Sequence, residues 1–306
     1  MRVGLWLHSV VPVRRYGGTQ RVVTWLADAL AEAGHEPVLL VPPGSSSGTA
    51  RVVHVPKRTF RSAERDPGFD LDAALPEGLD VLHLHSEVRA RTEVPSLTTI
   101  HGNGDPGSYG PSCVFVSRDH MERMRGRHFV RNGLPPDAYR FRREKEPWLL
   151  FLARASWKVK GVDRAEAIAR AAGRDLVIAG GWRFHPFDRS LRSVGMVGGE
   201  RKLELLADAS ALLFPVRWEE PFGLAALEAL ASGTPVVASR RGALPEILTP
   251  GTGFLCDDEE AFVEAVGRVD GIDPAACRAR VEERFTARRM AADYVALYRL
   301  AVAGEL

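Results

Sequence analysis

The sequence predicts an α/β fold built from two doubly wound domains, each with an open parallel sheet. Short apolar runs alternate with segments of helical periodicity along most of the chain, which is typical of strand-helix-strand units. The length of 306 residues suits two domains of ordinary size. A charged segment, RFRREKEP at 140–147, interrupts the alternation before a new strand begins. We therefore place the domains at 1–143 and 144–287.

The predicted elements follow the same order in both halves. In the first half a helix over 19–33 joins two strands, and this order implies a parallel pair with a crossover. In the second half a helix over 224–231 precedes Gly233, which can adopt the left-handed conformation found after helix ends. The predicted strands are 3–7, 38–41, 51–55, 81–84, 97–100, 113–116, 148–152, 176–179, 212–216 and 236–238. Open sheets of this type bind ligands beyond the carboxyl ends of their strands.

The composition is that of an ordinary soluble protein, with 45% apolar and 26% charged residues. A net charge of +2 gives no case for nucleic acid as a partner. Three widely spaced cysteines without a CxxC pattern indicate neither a disulfide framework nor a zinc site, so a cytoplasmic location is expected. No run approaches the ~20 apolar residues of a membrane span. His8 and Ser9 break the N-terminal apolar run, which we interpret as a strand and not as a signal peptide.

The segment EEPFGLAALEAL carries two carboxylates, Glu220 and Glu228, on either side of a Pro-Phe-Gly turn. Pro221 disfavours helical geometry at Glu220, so the helix is expected to begin near Leu224. The free amides at its start would attract phosphate, and the carboxylates would accept hydrogen bonds from ligand hydroxyls. This order of groups predicts a site for a nucleotide-sugar.

Two cations follow the predicted strand 148–152. Arg154 lies in the next turn, and Lys160 follows six residues later, just before a glycine. Arginine can hold a phosphate with two hydrogen bonds, while lysine adds a compact charge. This pair is therefore suited to neutralising a departing diphosphate.

Two features of the first half also lie where strands end. Gly17 and Gly18 make a tight loop after the first strand, with Thr19 as the expected N-cap of the following helix. His101 follows the apolar strand SLTTI and is therefore expected in the crevice at the carboxyl end of the sheet.

Three patterns imitate other functions. His83 and His85 point to the same side of a strand, but no third metal ligand has suitable spacing. The glycines of 102–107 spell GxGxxG, but Pro106 disfavours the helix that the dinucleotide fingerprint requires. The acidic DLD at 70–72 imitates a metal-binding motif in a loop-like stretch. We therefore expect neither a nicotinamide cofactor nor an essential metal.

Taken together, these motifs resemble those of the retaining GT-B glycosyltransferases of the glycogen-synthase-like group, in which two glutamates flank seven residues. Similar stretches cover nearly the whole chain: YGGTQRVVTWLADALAEAGHEPVLL, TTIHGN, FVRNGLPPDAYRF, ARASWKVKGVD, ADASALLFPVRWEEPFGLAALEALASGTPVVAS and RRGALPEILTPGTGFL. The resemblance implies the GT-B fold, in which two Rossmann-like domains face a cleft. It also implies that the final helix, about 288–306, packs back on the first domain.

The resemblance further implies roles for individual residues. Arg154 and Lys160 would hold the donor diphosphate, and Glu220 would accept hydrogen bonds from the donor sugar. Glu228 would hold the ribose, and His101 would stand beside the reacting sugar. The other implied donor-binding positions are Gly18, Val197, Phe222, Gly223 and Leu224.

The implied reaction is transfer of a hexosyl group from a nucleotide diphosphate sugar to an acceptor hydroxyl, with retention of anomeric configuration. WEEPFG and RRGALPE most resemble members that use UDP-sugars, UDP-glucose above all. The sequence does not indicate the identity of the acceptor. The family's usual glycine before Arg154 is Ala153 here, a small change that should leave the turn usable. Several arginines in 123–131 would suit an anionic membrane surface, but a solvated helix is favoured.

Two alternatives remain open at this level. A nucleotide-sugar epimerase or hydrolase of the same architecture would also hold a diphosphate, and would release an epimer or free sugar without an acceptor. A non-catalytic nucleotide-binding module would keep Arg154 and Lys160 but show no turnover. The complete set of Glu220, Glu228 and His101 favours the transferase.

Overall fold

The computed structural model describes residues 1–13, 15 and 17–306. Internal contacts divide the chain into two compact units. The first contains 1–13, 17–134 and 287–306, and the second consists mainly of Pro135–Thr286. The chain thus leaves the first unit before Pro135, whereas the charged segment had placed the boundary after residue 143. Its last helix belongs to the first unit.

Seven parallel strands form one sheet among the described residues of the first unit. They are β1 (Arg2–Trp6), β2 (Glu36–Val41), β3 (Arg51–His54), β4 (Val81–Leu84), β5 (Ser96–Ile100), β6 (Cys113–Phe115) and β7 (His128–Phe129). Their order across the sheet is β3-β2-β1-β4-β5-β6-β7. The order reverses beside β1, so β1 and β4 flank the point where open sheets bind their ligands.

Six parallel strands form the sheet of the second unit within the described chain. They are β8 (Glu146–Leu152), β9 (Leu176–Ala179), β10 (Leu191–Ser193), β11 (Ala209–Phe214), β12 (Val236–Ser239) and β13 (Gly253–Cys256). Their order is β10-β9-β8-β11-β12-β13, which reverses between β8 and β11. The segments after these two strands carry Arg154 and Glu220, and both therefore follow strands at the switch point.

Helices connect the strands of both sheets. They are α1 (Gly18–Glu32), α2 (Lys57–Arg65), α3 (Arg118–Met124), α4 (Val162–Ala171), α5 (Gly199–Asp208), α6 (Leu224–Ala231), α7 (Leu244–Ile247), α8 (Glu259–Val266), α9 (Pro274–Arg284) and α10 (Ala287–Ala303). Helix α10 packs on α1, β4 and β5 of the first unit. Among the described residues, no helix combines the length and the apolar character needed to cross a membrane.

The core follows from the apolar runs. Every residue of β11, ASALLF, is buried, as expected for a strand that is covered on both faces of a parallel sheet. In α1, Val22, Val23, Leu26 and Leu30 form a buried stripe at helical spacing. The prediction of two α/β domains with parallel sheets is confirmed, although the short strands β7, β10 and β13 had not been predicted.

Candidate active site

Arg154 lies in the turn after β8, on the wall of a cavity in the second unit. The cavity measures about 450 Å³, and its wall also includes Gly180, Trp182 and Met196. The guanidinium carbon of Arg154 lies 5.1 Å from the centroid of the Trp157 ring, a distance at which a cation interacts with an aromatic face. Arg154 is therefore held at the edge of a space large enough for a small ligand.

Lys160 forms a buried ion pair with Glu220. It ends the short 3₁₀ turn Lys158–Lys160, and its Nζ lies 2.8 Å from Glu220 Oε2. Both residues are 7% exposed. Trp218 donates from its indole Nε1 to the same oxygen at 2.7 Å, and its ring lies 4.5 Å from Nζ. A lysine has three N–H donors, so the pairing leaves donors for a ligand.

The entrance to α6 has the geometry that the Pro-Phe-Gly turn predicted. Gly223 precedes the helix with a φ of 106°, a left-handed conformation that favours glycine, and α6 begins at Leu224. No side-chain hydrogen bond caps this helix within the described part of the chain. Phe222 is buried and lies near Phe285, with the ring centroids 6.2 Å apart. The first amides of α6 are thus available to an anion.

Glu228 lies inside α6 and is held by two other side chains of the second unit. Lys202 of α5 places its Nζ 2.5 Å from Glu228 Oε1, and the Tyr139 hydroxyl donates to the same oxygen at 2.7 Å. Lys202 and Glu228 are 6% and 3% exposed. The two glutamates of the predicted motif are thus each paired with a buried lysine.

Val197 is half-buried in the segment between β10 and α5. Its neighbour Met196 lines the cavity that also contains Arg154. Trp182, on the same wall, is 81% exposed, which is unusual for such a large apolar side chain. The structure thus brings Lys160 to Glu220 and places Arg154 and the neighbour of Val197 on one cavity.

Gly18 is the first residue of α1 in the first unit. The N-cap is Gly17, with a φ of 156°, and not Thr19, which lies inside the first turn. The prediction for Thr19 was therefore wrong by two positions. A Cβ on Gly17 would lie 2.5 Å from Gln20 Oε1, so the side chain of Gln20 occupies the space that a larger residue at 17 would need.

His101 follows β5 and hydrogen bonds to another histidine. Its Nε2 lies 3.1 Å from Nδ1 of His85, which follows the neighbouring strand β4. Burial lowers the pKa of His101 to about 4, with a smaller contribution from His120. Burial also lowers the pKa of His85 well below its usual value. His101 is therefore neutral at physiological pH.

His83 of β4, the first histidine of the pair, uses both ring nitrogens in hydrogen bonds. Its Nδ1 lies 2.8 Å from the Tyr298 hydroxyl, and its Nε2 lies 2.6 Å from the Thr99 hydroxyl. The structure contains no cluster of three metal-binding side chains among its described residues. In the acidic segment 70–72, Asp72 accepts hydrogen bonds from the Thr92 hydroxyl and from a backbone amide, which fixes a loop.

Several side chains that hold the predicted site residues carry no predicted role in the sequence. Lys202, Tyr139, Trp218 and His85 each bind a predicted site residue. For Lys202 a signal was present, because Leu205 and Leu206 lie three and four positions later and place it on the buried face of α5.

We predict that acid destabilises the protein, because burial lowers the pKa of His101 in the first unit. His101 has a pKa of about 4 when folded but about 6.5 when unfolded. The unfolded state therefore binds more protons between these values, and stability falls as the pH falls from 6.5 towards 4. Urea unfolding at pH 7 and pH 5 should show the loss, and His101→Gln should remove about 2 kcal/mol of it. An equal loss in wild type and variant would contradict the prediction.

The fold and the candidate site together indicate the class of protein to which the chain belongs. Each sheet has the order of a doubly wound nucleotide-binding domain, and Arg154 and Glu220 follow the strands at the switch point of the second sheet. Family models match both halves of the chain: "Glycosyltransferase Family 4" matches residues 16–145, and "Glycosyl transferases group 1" matches residues 146–269.

Individual proteins show the same relationship. The crystal structure of AviGT4, a glycosyltransferase involved in avilamycin A biosynthesis, is 30% identical, with a TM-score of 0.80 and coverage of 99% of this chain and 98% of that one. A glycogen synthase of Mycobacterium tuberculosis is 36% identical over 54% of this chain and 44% of its own length. A D-inositol 3-phosphate glycosyltransferase of Streptomyces griseus is 40% identical over 35% of this chain and 21% of its own length. The matches thus span less than half of these two curated relatives.

These comparisons confirm the family that the motifs resembled. The chain belongs to the glycosyltransferases of the GT-B fold.

Proposed function

We propose that this protein transfers a hexosyl group from a nucleoside diphosphate sugar to an acceptor hydroxyl with retention of anomeric configuration. UDP-glucose is the favoured donor, on the resemblance of WEEPFG and RRGALPE to members that use UDP-sugars. The single observation that carries the proposal is the buried pair of Lys160 and Glu220 beside the uncapped start of α6. It combines a cation and free amides for phosphate with a carboxylate for sugar hydroxyls.

The charges of the second unit support a leaving-group role. A diphosphate that departs from the sugar gains negative charge in the transition state, and fixed positive groups stabilise that charge. Arg154 and Lys160 follow β8, the strand that borders the switch point of the second sheet. We assign the growing charge of the diphosphate to these two cations and to the first amides of α6.

The remaining assignments concern sugar and nucleoside. Glu220 accepts from donor sugar hydroxyls, and Glu228 accepts from the ribose. Both carboxylates are already oriented by buried partners, which reduces the side-chain entropy that binding would cost. We assign contact with the reacting sugar to His101. The departing phosphate oxygen accepts the proton of the acceptor hydroxyl on the same face, so the protein needs no nucleophile of its own.

A thermal-shift panel followed by product analysis tests the proposal. UDP should raise the melting temperature more than GDP, ADP or dTDP, because a ligand that binds only the native state stabilises it. With UDP-[¹³C]glucose and a panel of hydroxyl acceptors, NMR should show a product with the donor's α configuration. Turnover should survive EDTA, in keeping with a metal-independent reaction in the cytoplasm. A β product, an epimer or complete, metal-reversible inactivation would each refute the corresponding part.

A further inference from the structure

His85 and His101 sit at the carboxyl edge of the first sheet, on neighbouring strands. Strands β4 and β5 are parallel and directly paired, with Leu84 opposite Thr98, and each histidine follows its strand by one residue. The hydrogen bond between His85 Nδ1 and His101 Nε2 is 3.1 Å long. The ring of His85 is thus the immediate neighbour of the histidine to which we assign sugar contact.

The hydrogen bond between His85 and His101 contains one proton, which belongs to one ring or the other. Both rings are neutral at physiological pH, because burial lowers both pKa values. A neutral imidazole carries one N–H and one bare nitrogen, so the ring that donates fixes the tautomer of the other ring. Either His85 donates from Nδ1, or His101 donates from Nε2.

The second nitrogen of His85 distinguishes these arrangements. His85 is 5% exposed, and its Nε2 is buried without a hydrogen-bond partner in the described chain. If His101 donated, the single proton of His85 would sit on this Nε2 as a buried, unpaired donor. Buried N–H groups without a partner are rarer than buried acceptors without one. The favoured arrangement therefore leaves Nε2 of His85 bare.

We propose that His85 is a positioning residue that donates from Nδ1 to His101 Nε2 and so holds His101 in its Nδ1–H tautomer. No described residue hydrogen bonds to His101 Nδ1, so this nitrogen is left as a donor for a ligand oxygen. His101 would therefore meet its ligand as a neutral hydrogen-bond donor and not as a base. The catalytic consequence rests on the proposed function, but the tautomer itself does not.

Two tyrosines of helix α10 help to fix the position of His83, which lies against the ring of His85. The rings of His83 and His85 are in contact, with centroids 4.0 Å apart and planes tilted by 35°. Both nitrogens of His83 are occupied, by the Tyr298 and Thr99 hydroxyls, and the Thr99 hydroxyl also bonds to Tyr294 at 2.9 Å. His83 thus cannot bond to His85, and it restricts the rotation of the His85 ring.

NMR on the whole chain tests the tautomer without any substrate. In protein labelled with ¹⁵N-histidine, a long-range ¹H–¹⁵N spectrum at pH 7 distinguishes protonated from bare ring nitrogens. The spectrum of His101→Gln assigns the His101 signals. We expect His101 to show a protonated Nδ1 and a bare Nε2. A protonated Nε2 on His101 would overturn the proposal whether or not the protein proves to be a transferase.

Two substitutions at His85 test its consequence. His85→Leu removes the donor, while His85→Asn keeps an amide N–H close to the position of Nδ1. We expect His85→Leu to mix the tautomers of His101 and to lower kcat at least about tenfold with the donor KM unchanged. His85→Asn should restore both readouts. The exposed His54 provides a control, since His54→Leu should change neither. If His85→Leu retains the wild-type tautomer and kcat, or if His85→Asn fails to restore them, His85 does not position His101.

Discussion

Replacing Lys160 with methionine should lower kcat about a hundredfold. The substitution removes the cation assigned to the departing diphosphate, and a charge of this kind contributes about 3 kcal/mol to transition-state stabilisation. It also leaves Glu220 buried without its lysine, although Trp218 still donates to it. Turnover at saturating donor measures the effect, at a temperature where circular dichroism shows the variant to be folded.

Lys158→Met is the matched control for this prediction. Lys158 lies on the same 3₁₀ turn, two positions away, but it is exposed. Its replacement should leave kcat within about twofold of wild type, as for most exposed substitutions. Arg154→Ala should resemble Lys160→Met, because it removes the second cation after β8. Near-normal turnover in both Arg154→Ala and Lys160→Met would refute the electrostatic account.

Replacing Lys202 with methionine should lower the free energy of unfolding by about 3 kcal/mol. The pair of Lys202 and Glu228 is almost fully buried, with side chains 7% and 4% exposed. The substitution leaves the buried carboxylate of Glu228 without this lysine, although the Tyr139 hydroxyl still donates to its Oε1. Urea unfolding followed by circular dichroism measures the loss. The melting temperature should fall in parallel.

Arg201→Met tests whether the effect comes from burial. Arg201 is the preceding residue on α5 and pairs with Glu204, but its side chain is 54% exposed. Exposed pairs contribute less than about 1 kcal/mol, so this variant should be nearly as stable as wild type. The double variant Lys202→Met with Glu228→Gln should recover part of the loss, because no unpaired charge remains. Equal losses for Lys202→Met and Arg201→Met would show that burial of the pair has little effect.

The fold was largely predictable because it depends on local patterns. The apolar run of β9 was predicted with its observed bounds, and β4 likewise, since both strands are buried along their whole length. The strands that were missed lack this pattern. β7 has only two residues, β10 contains Arg192, and β13 begins with a glycine. Their place in a sheet depends on neighbouring strands, which a local pattern does not show.

The candidate site was predictable in part. Pro221 and Gly223 indicated the start of α6 in the sequence, because their conformational preferences are properties of single residues. The partners of the predicted residues come from far along the chain: Lys160 meets Glu220 across 60 positions, and Tyr139 meets Glu228 across 89. Such pairs arise only when the sheet brings distant loops to one edge. Lys160 was predicted as a ligand for phosphate, and its bond to Glu220 was not foreseen.

The placement of α10 has a consequence for biosynthesis. This helix follows every element of the second unit in the chain, yet it supplies Tyr294 and Tyr298 to the interior of the first. On the ribosome, residues 1–134 therefore emerge long before Tyr294 and Tyr298, whose hydroxyls bind Thr99 and His83. Until translation passes residue 298, His83 lacks its hydrogen bond to Tyr298 and keeps only the one to Thr99. The first unit therefore cannot complete its packing until α10 has been synthesised.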